Sequence, residues 1–280
     1  MRIKHRGTFA LAGGLALAIA LIPTSPASAD TSQATGQAAR VTLLGGSLVT
    51  SGTVSASHSG DGSGPDIQSQ NPALSVLGAS SPITAGLLMQ RARANADGTS
   101  AACAGLVGTG GSIVIGADGT CTVNTGGSKA TIDLGVLALR ANAIVAECRA
   151  DSSGNVTSSV RILGLEAKAL LVWLSVPVDS APNSGLNLLG LLNVTTHATS
   201  TPNGAGSIRA TALDVGAIAG VLLGVDIGTV TCGANAIAPD SPAIPPAGIP
   251  IAAGMVAAVL TPLMIMRRRR PALQRNSSGA

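Results

Sequence analysis

Residues 30–247 have to build a folded core almost without aromatic side chains. The segment contains one tryptophan, Trp173, and neither phenylalanine nor tyrosine, while Gly, Ala, Val, Leu, Ser and Thr dominate it. An aliphatic side chain buries less apolar area than an aromatic ring, so each buried residue stabilises such a core less. Covalent cross-links would help to stabilise a fold of this composition.

The N-terminal residues have the three parts of a secretory signal peptide. Three basic residues among the first six are followed by an almost purely apolar run at 9–23. Ala27 and Ala29 then give the small-x-small pattern that signal peptidase accepts, which places cleavage before Asp30. We therefore predict a signal peptide over residues 1–29 and export of the remaining chain.

A second apolar segment near the C-terminus is long enough to cross a membrane. Residues 248–266 contain no charge, and 19 residues at ~1.5 Å each reach roughly 28 Å, about one hydrocarbon core. A basic cluster of the kind that stays in the cytoplasm follows directly: Arg267, Arg268, Arg269 and Arg270. We predict one transmembrane helix at 248–266, a proline-rich stalk at 234–247 and a cytoplasmic tail at 267–280. The protein is then a single-pass membrane protein whose ectodomain faces outward.

The positive net charge belongs to these two ends. Of the 17 basic residues, eight lie in residues 1–6 and 267–275, and nine remain beside all 13 acidic residues in residues 30–247. The ectodomain is therefore net −4, and its basic residues are scattered singly. Nucleic-acid binding requires a cluster of basic residues, which this distribution lacks, so we exclude nucleic acid as a partner.

All four cysteines lie in the exported segment, which indicates two disulfides. Cys103, Cys121, Cys148 and Cys232 allow three connectivities. We favour Cys103–Cys121, because a short glycine-rich excursion separates them, and Cys148–Cys232, because each closes a long alternating segment. Loops of these lengths would stabilise the fold by roughly 3 and 4 to 5 kcal/mol in the chain-entropy account. No Cys-x-x-Cys spacing is present, so we expect no metal site.

Regularly spaced alternating segments with turn residues between them predict an all-β, antiparallel sandwich-like ectodomain. Residues 30–72 are predicted to hold an N-terminal strand region and a polar loop at 58–71, and residues 73–233 the main β-domain. Hairpins and strands of this domain are expected at 112–123, 136–149 with 156–163, 189–199 with 207–213, and 221–232. Two segments stay open between strand and helix, namely 73–96 and 165–175.

Several of these segments together resemble actinobacterial choice-of-anchor P surface proteins. The likeness extends from about residue 73 to the C-terminus and is carried by 98–105, 139–149, 154–159, 208–213 and 230–235, in this order and with the terminal anchor. It implies a secreted, wall- or membrane-held protein, but no catalytic residue can be carried over. The sequence at 244–248, Ile-Pro-Pro-Ala-Gly, lacks the threonine that a sortase site needs, which favours a retained helix.

Residue types used in catalysis are sparse and scattered along the exported chain. His58 is expected in a loop, and His197 on the polar face of a strand. Nothing in the sequence pairs Glu147 with Glu166, and Trp173 is interpreted as a plug of the core. No nucleophile motif, phosphate loop or calcium-loop spacing appears. We therefore expect neither catalytic residues nor a cofactor.

The expected function is that of a non-catalytic structural or interaction protein of the bacterial envelope. Its expected contacts are the membrane, through the C-terminal helix, and wall polymer or other surface proteins. The alternatives are an envelope hydrolase with an unrecognised site, and a surface receptor, whose tail at 267–280 is too short for a signalling domain.

Overall fold

Strands make up 62% of the chain that the structure describes, and nearly all of its regular secondary structure. A computed structural model describes residues 31–42, 48–61, 63–79, 81–135, 137–169, 171–188, 192–216 and 224–235. The predicted signal peptide with Ala27, Ala29 and Asp30, and the predicted membrane segment with its four arginines, lie outside the described residues. Among the described residues no helix is long and apolar enough to cross a membrane.

The described strands all run antiparallel to their neighbours, which confirms the predicted all-β class. A single turn of 3-10 helix, Leu74–Leu77, is the described exception. The strands are β1 (Ser32–Thr42), β2 (Leu48–Thr50), β3 (Val54–His58), β4 (Asp66–Gln70), β5 (Ile83–Ala85), β6 (Leu87–Ala94), β7 (Ser100–Val107), β8 (Ser112–Ile115), β9 (Cys121–Asn124), β10 (Ala130–Asp133), β11 (Ala138–Ala141), β12 (Ala143–Ala150), β13 (Val156–Leu163), β14 (Glu166–Ala169), β15 (Val172–Ser175), β16 (Ser184–Leu188), β17 (Leu192–Ser200), β18 (Ile208–Gly216) and β19 (Gly224–Cys232).

Two sheets pack face to face and form a sandwich-like core. The first sheet has the order β16-β17-β18-β19-β1-β2, with β3 also paired to β1, and the second has the order β13-β12-β7-β6-β4. In the core, β1 and β19 pack against β6, β7 and β12. Because β1 pairs with β19 along its length, the strand pairing does not follow the expected division at residue 72.

A third sheet, with the order β15-β14-β11-β10-β5, continues the second one. The chain passes directly between the two sheets at Gly86, at Asn142 and at Gly164. Gly164 has a φ of +62°, a conformation that side-chain-bearing residues rarely adopt. The prediction of one strand over 136–149 is therefore wrong, because Asn142 separates β11 in the third sheet from β12 in the second.

Other local expectations are settled by the strand assignments. The hairpin within 112–123 is confirmed as β8 and β9, and the strand expected at 207–213 is β18 from Ile208 onward, which pairs with β17. The prediction of a loop over 58–71 is wrong from Asp66 to Gln70, because these residues form β4 and pair with β6. Residues 73–96 contain the 3-10 turn and two strands, and the helical alternative for 165–175 is wrong because β14 and β15 form a hairpin.

The interface between the first and second sheets is built largely from alanine. Six alanines distributed over both sheets are fully buried: Ala38, Ala56, Ala92, Ala104, Ala146 and Ala212. A Cβ on Gly228 of β19 would lie 2.6 Å from the main-chain oxygen of Ala104 in β7. The two backbones therefore approach so closely that only glycine fits at position 228.

An irregular row crosses the first sheet at this point of closest approach. The pairings of β1 with β19 and of β17 with β18 skip Ala38, Gly228, His197 and Ala212. The amide of Ala38, which lacks a ladder partner, donates instead to Oε1 of the fully buried Gln90, at 2.9 Å. A side chain of the second sheet thus replaces a main-chain hydrogen bond of the first, and keeps a buried donor satisfied.

Both favoured disulfides are confirmed. Cys148 of β12 is bonded to Cys232 of β19, with 5.9 Å between the Cα atoms, so this bridge joins the second sheet to the first. Cys103 of β7 is bonded to Cys121 of β9, with 6.2 Å between the Cα atoms, and holds the β8–β9 hairpin. Sequence separations of 84 and 18 residues correspond to about 4.5 and 3 kcal/mol in the chain-entropy account.

The end of the last strand is fixed by Asn235, three residues after Cys232. Its Oδ1 accepts a hydrogen bond from the amide of Gln33 at 3.1 Å, and its Nδ2 donates to the carbonyl oxygen of Gly98 at 2.8 Å. Nδ2 also lies 3.3 Å from the carbonyl oxygen of Ala150. Asn235 therefore belongs to the β-domain, although we predicted it as the second residue of the stalk.

Replacing Gly228 by alanine tests the close approach of the two sheets. We expect Gly228→Ala to lower the free energy of unfolding by about 1 kcal/mol from its φ of +65° and a further 1–3 kcal/mol from overpacking. Gly204 has a φ of +80° and open space around it, so Gly204→Ala should show only the first cost. Denaturant unfolding of both purified variants measures the difference, and equal losses would contradict the close approach.

Candidate functional site

The third sheet carries most of its charge and Trp173 on one face. Arg140 of β11 lies opposite Glu166 of β14, and Lys168 of β14 lies opposite Trp173 of β15. Residues of the other parity, such as Leu139 and Ala167, are buried in the core. We call the surface formed by Lys129, Arg140, Glu166, Lys168 and Trp173 the tryptophan face.

Glu166 is the centre of the polar contacts on the tryptophan face. Lys129 donates from Nζ to Oε1 of Glu166 at 2.5 Å, and Arg140 donates from Nε to Oε2. The hydrogen bonds from Lys129 and then Arg140 lower the pKa of Glu166 below its ordinary value. The guanidinium of Arg140 also lies over the indole of Trp173, 4.1 Å from the ring centroid, which is a cation–π geometry.

One expectation from the sequence is wrong on this surface. Trp173 is not a core plug, because its side chain is only half-buried on the outside of the third sheet. The cationic partners of Glu166 were not foreseen, because they lie 37 and 26 positions away in sequence. The alternation of 166 with 168 and of 173 with 175 could have placed Glu166 and Trp173 on one face, had this segment been assigned to strands.

His197 and Ser158 form a hydrogen-bonded pair that the sequence did not reveal. Nδ1 of His197 lies 3.0 Å from the carbonyl oxygen of Ser180, and Nε2 lies 3.0 Å from Oγ of Ser158. A carbonyl oxygen only accepts, so Nδ1 carries the proton and Nε2 accepts from the serine hydroxyl. This is the tautomer that a general base needs.

The surroundings of this pair supply only part of a catalytic site. His197 is buried, contrary to its expected place on a polar face, and its φ of +52° interrupts the alternation of β17. Ser158 is half-buried beside a depression of about 170 Å³ that Glu147 and Ser159 also line. The orienting group for His197 is a neutral carbonyl, not a carboxylate, so an imidazolium would be stabilised weakly. The same contacts also serve to join β17 of the first sheet to β13 of the second.

His58 is held in the opposite tautomer at the end of β3, and not in the loop where we expected it. Its Nδ1 accepts from the amide of Gly60 at 2.8 Å, so Nε2 carries the proton and faces Oγ of Ser63 at 3.0 Å. Its side chain is buried and lines a cavity of about 280 Å³ together with Gln33 and Ala234. Both ring nitrogens are used within one turn, which indicates a structural role.

Glu147 and Glu166 lie in different sheets with separate partners. Glu147 of β12 accepts from Oγ of Ser159 at 2.5 Å and lies 3.6 Å from Nη2 of Arg161. The paired carboxylates of a glycosidase therefore do not come from these two residues. Within the described residues no group of three or more His, Cys, Asp or Glu side chains could hold a metal ion.

Two aspartates do face each other, on the first sheet. Asp214 of β18 lies directly opposite Asp226 of β19, and Arg40 of β1 flanks Asp226 on its other side. Burial, followed by the charge of Asp214, raises the pKa of Asp226 above its ordinary value. Like charges at directly opposed positions destabilise a sheet, and the arginine offsets part of this cost.

Comparison with known proteins adds nothing to these assignments: no family model, curated protein or solved structure matches the chain.

The aspartate pair predicts a pH-dependent gain in stability on neutralisation. Because the pKa of Asp226 is raised in the folded state, its ionisation opposes folding above that pKa and has no effect well below it. We expect Asp226→Asn to be more stable than wild type at neutral pH, with the advantage shrinking as the pH falls through the raised pKa. Unfolding by urea at a series of pH values measures it.

Glu166→Gln is the matched control, with the opposite sign. Its folded-state pKa is lowered, so the stability that its ionised form contributes is present above the ordinary value of 4.5 and is lost as the pH falls below that value. We expect Glu166→Gln to be less stable than wild type at neutral pH and equal to it in acid. Parallel pH profiles of the two variants would contradict the opposite signs of the two pKa shifts.

Proposed function

We propose that this chain is an exported, membrane-held interaction protein of the bacterial envelope, of the choice-of-anchor P type, that acts without catalysis. In this proposal the β-domain is displayed above the membrane and its tryptophan face binds wall polysaccharide. A helix at 248–266 retains the protein, and the residues before it act as a spacer.

The exit of the chain from the β-domain supports the display. Asn235 is the last described residue, and its hydrogen bonds to Gly98 and Gln33 fix the point of exit. Twelve residues, including Pro239, Pro242, Pro245 and Pro246, then separate it from residue 248. At ~3.1 Å per residue an extended spacer of this length holds the domain roughly 37 Å from the membrane.

The position of Trp173 is the observation that carries the proposed binding surface. A chain whose core lacks aromatic rings would gain more stability from burying its one exported ring than from leaving it half-exposed. In this proposal the C–H face of a sugar ring packs against the plane of the indole that Arg140 does not cover. Arg140 orients the ring, and Lys129, Glu166 and Lys168 supply donors and acceptors for hydroxyl groups.

Binding to purified wall polysaccharide tests this surface. We expect Trp173→Ala to weaken binding of the full chain by about tenfold or more, the effect of a central aromatic anchor. Val114→Ala removes a more exposed apolar side chain from the β8–β9 hairpin, away from the tryptophan face, and should bind like wild type. Co-sedimentation with insoluble wall preparations measures both, and equal binding of the two variants would refute the proposed surface.

The hydrolase alternative is favoured by one observation, the hydrogen bond between Ser158 and His197. A serine activated in this way reacts with fluorophosphonates, because its oxygen attacks phosphorus and displaces fluoride. Under the non-catalytic proposal we expect no labelling of the wild-type chain. Labelling that disappears in Ser158→Ala and in His197→Gln, with the fold intact, would establish the hydrolase instead.

A further inference from the structure

Among the described strands, β15 ends one side of the third sheet and pairs with β14 alone. Its pairing with β14 is fixed by the hydrogen bond from the amide of Val176 to the carbonyl oxygen of Leu165, at 3.0 Å. Hydrogen-bonded and non-bonded pairs alternate in an antiparallel ladder, so the main-chain groups of Trp173 and Ser175 point away from β14. These groups are available to a further strand.

The side chains at this edge are apolar and exposed. Leu171 is 88% exposed, Val172 60% and Leu174 50%, and β15 carries no charged residue or proline. Edge strands are ordinarily protected from pairing by charges, proline or bulges. Two other sheet edges follow this rule, because β4 begins with Asp66 and β13 contains Arg161. Strand β15 has none of these devices.

We propose that β15 pairs antiparallel with β15 of a second copy of this chain. An open main-chain edge accepts an extended strand, and an uncharged strand can lie opposite an identical one without placing like charges together. Pairing about a two-fold axis covers Val172 and Leu174 of both copies at once and closes the contact, so that it does not propagate. Self-pairing of β13 would instead bring its arginine close to the same arginine of the second copy.

The contact is small and depends on a high local concentration. A strand of four residues spans roughly 13 Å, and the pair buries less than the ~1,200–2,000 Å² that a stable interface in solution needs. We therefore expect association where copies are concentrated, as on a membrane, and little in dilute solution. The proposed anchor supplies that concentration. The pairing edge uses the main-chain groups of Trp173 and Ser175 and the side chains of Val172 and Leu174, which lie on the other face of the sheet from the indole.

Thiol cross-linking of the full chain in membranes of expressing cells tests the pairing. All four native cysteines are in disulfides, so one introduced cysteine supplies the free thiol. We expect Ser175→Cys to give a covalent dimer with a bis-maleimide whose spacer is about as long as the strand, ~13 Å, which covers every register. Ser69→Cys, an equally exposed serine on the β4 edge, is the matched control and should not cross-link.

A second substitution separates pairing from chance collision. Adding Leu174→Lys to Ser175→Cys brings two like charges together at the contact, and we expect the dimer yield to fall about tenfold. Wall binding by Leu174→Lys should stay unchanged, so loss of the dimer and loss of the proposed function can be told apart. Equal yields from Ser175→Cys and Ser69→Cys, a yield that Leu174→Lys does not lower, or cross-linking to a different protein would overturn the proposal.

Discussion

The close approach of the first and second sheets is the constraint on which the rest of the structure depends. Where alanine and glycine line the interface, backbone packs nearly against backbone, as at Gly228 and Ala104, while larger side chains such as Leu88 and Ile144 fill the rest. Small side chains bury little area each, but a dense interface gains dispersion contacts that large side chains with gaps would lose. A chain without aromatic core residues can be stable in this way, and any added Cβ at the closest point costs both strain and volume.

The close approach of the sheets breaks main-chain pairing, and polar side chains of the core replace the lost hydrogen bond. Where β19 comes nearest to β7, the ladder with β1 is interrupted and the amide of Ala38 loses its partner. Gln90, which reaches across from the second sheet, takes that hydrogen bond, and His197 bridges to Ser158 further along the same irregular row. The Cys148–Cys232 bridge joins the same two sheets covalently. These side chains and the disulfide all join the first and second sheets where the two backbones lie close together.

Local features of the fold could be predicted from the sequence, whereas the path between the sheets could not. Turn residues and alternation located the β8–β9 hairpin, and cysteine spacing gave both disulfides. No local sequence feature marks the point at Asn142 where the chain leaves the third sheet for the second. The alternation of buried and partly exposed residues continues through this position. His197 was misplaced for a related reason: its positive φ puts two consecutive residues of β17 in the core, which a strict period of two does not allow. The tryptophan face was missed because its members come from three strands and a loop.

The packing of the core also bears on why the proposed binding surface and the proposed pairing edge both lie on the third sheet. Beyond Gly86, Asn142 and Gly164 the strands belong to the third sheet and no longer lie at the close approach of the first and second sheets. Trp173, Val172 and Leu174 all lie on β15, an edge strand of the third sheet. One face of this strand carries the indole, and the other carries the exposed side chains of Val172 and Leu174. Substitutions on β15 can then alter the proposed binding and the proposed pairing without disturbing the close packing that stabilises the domain.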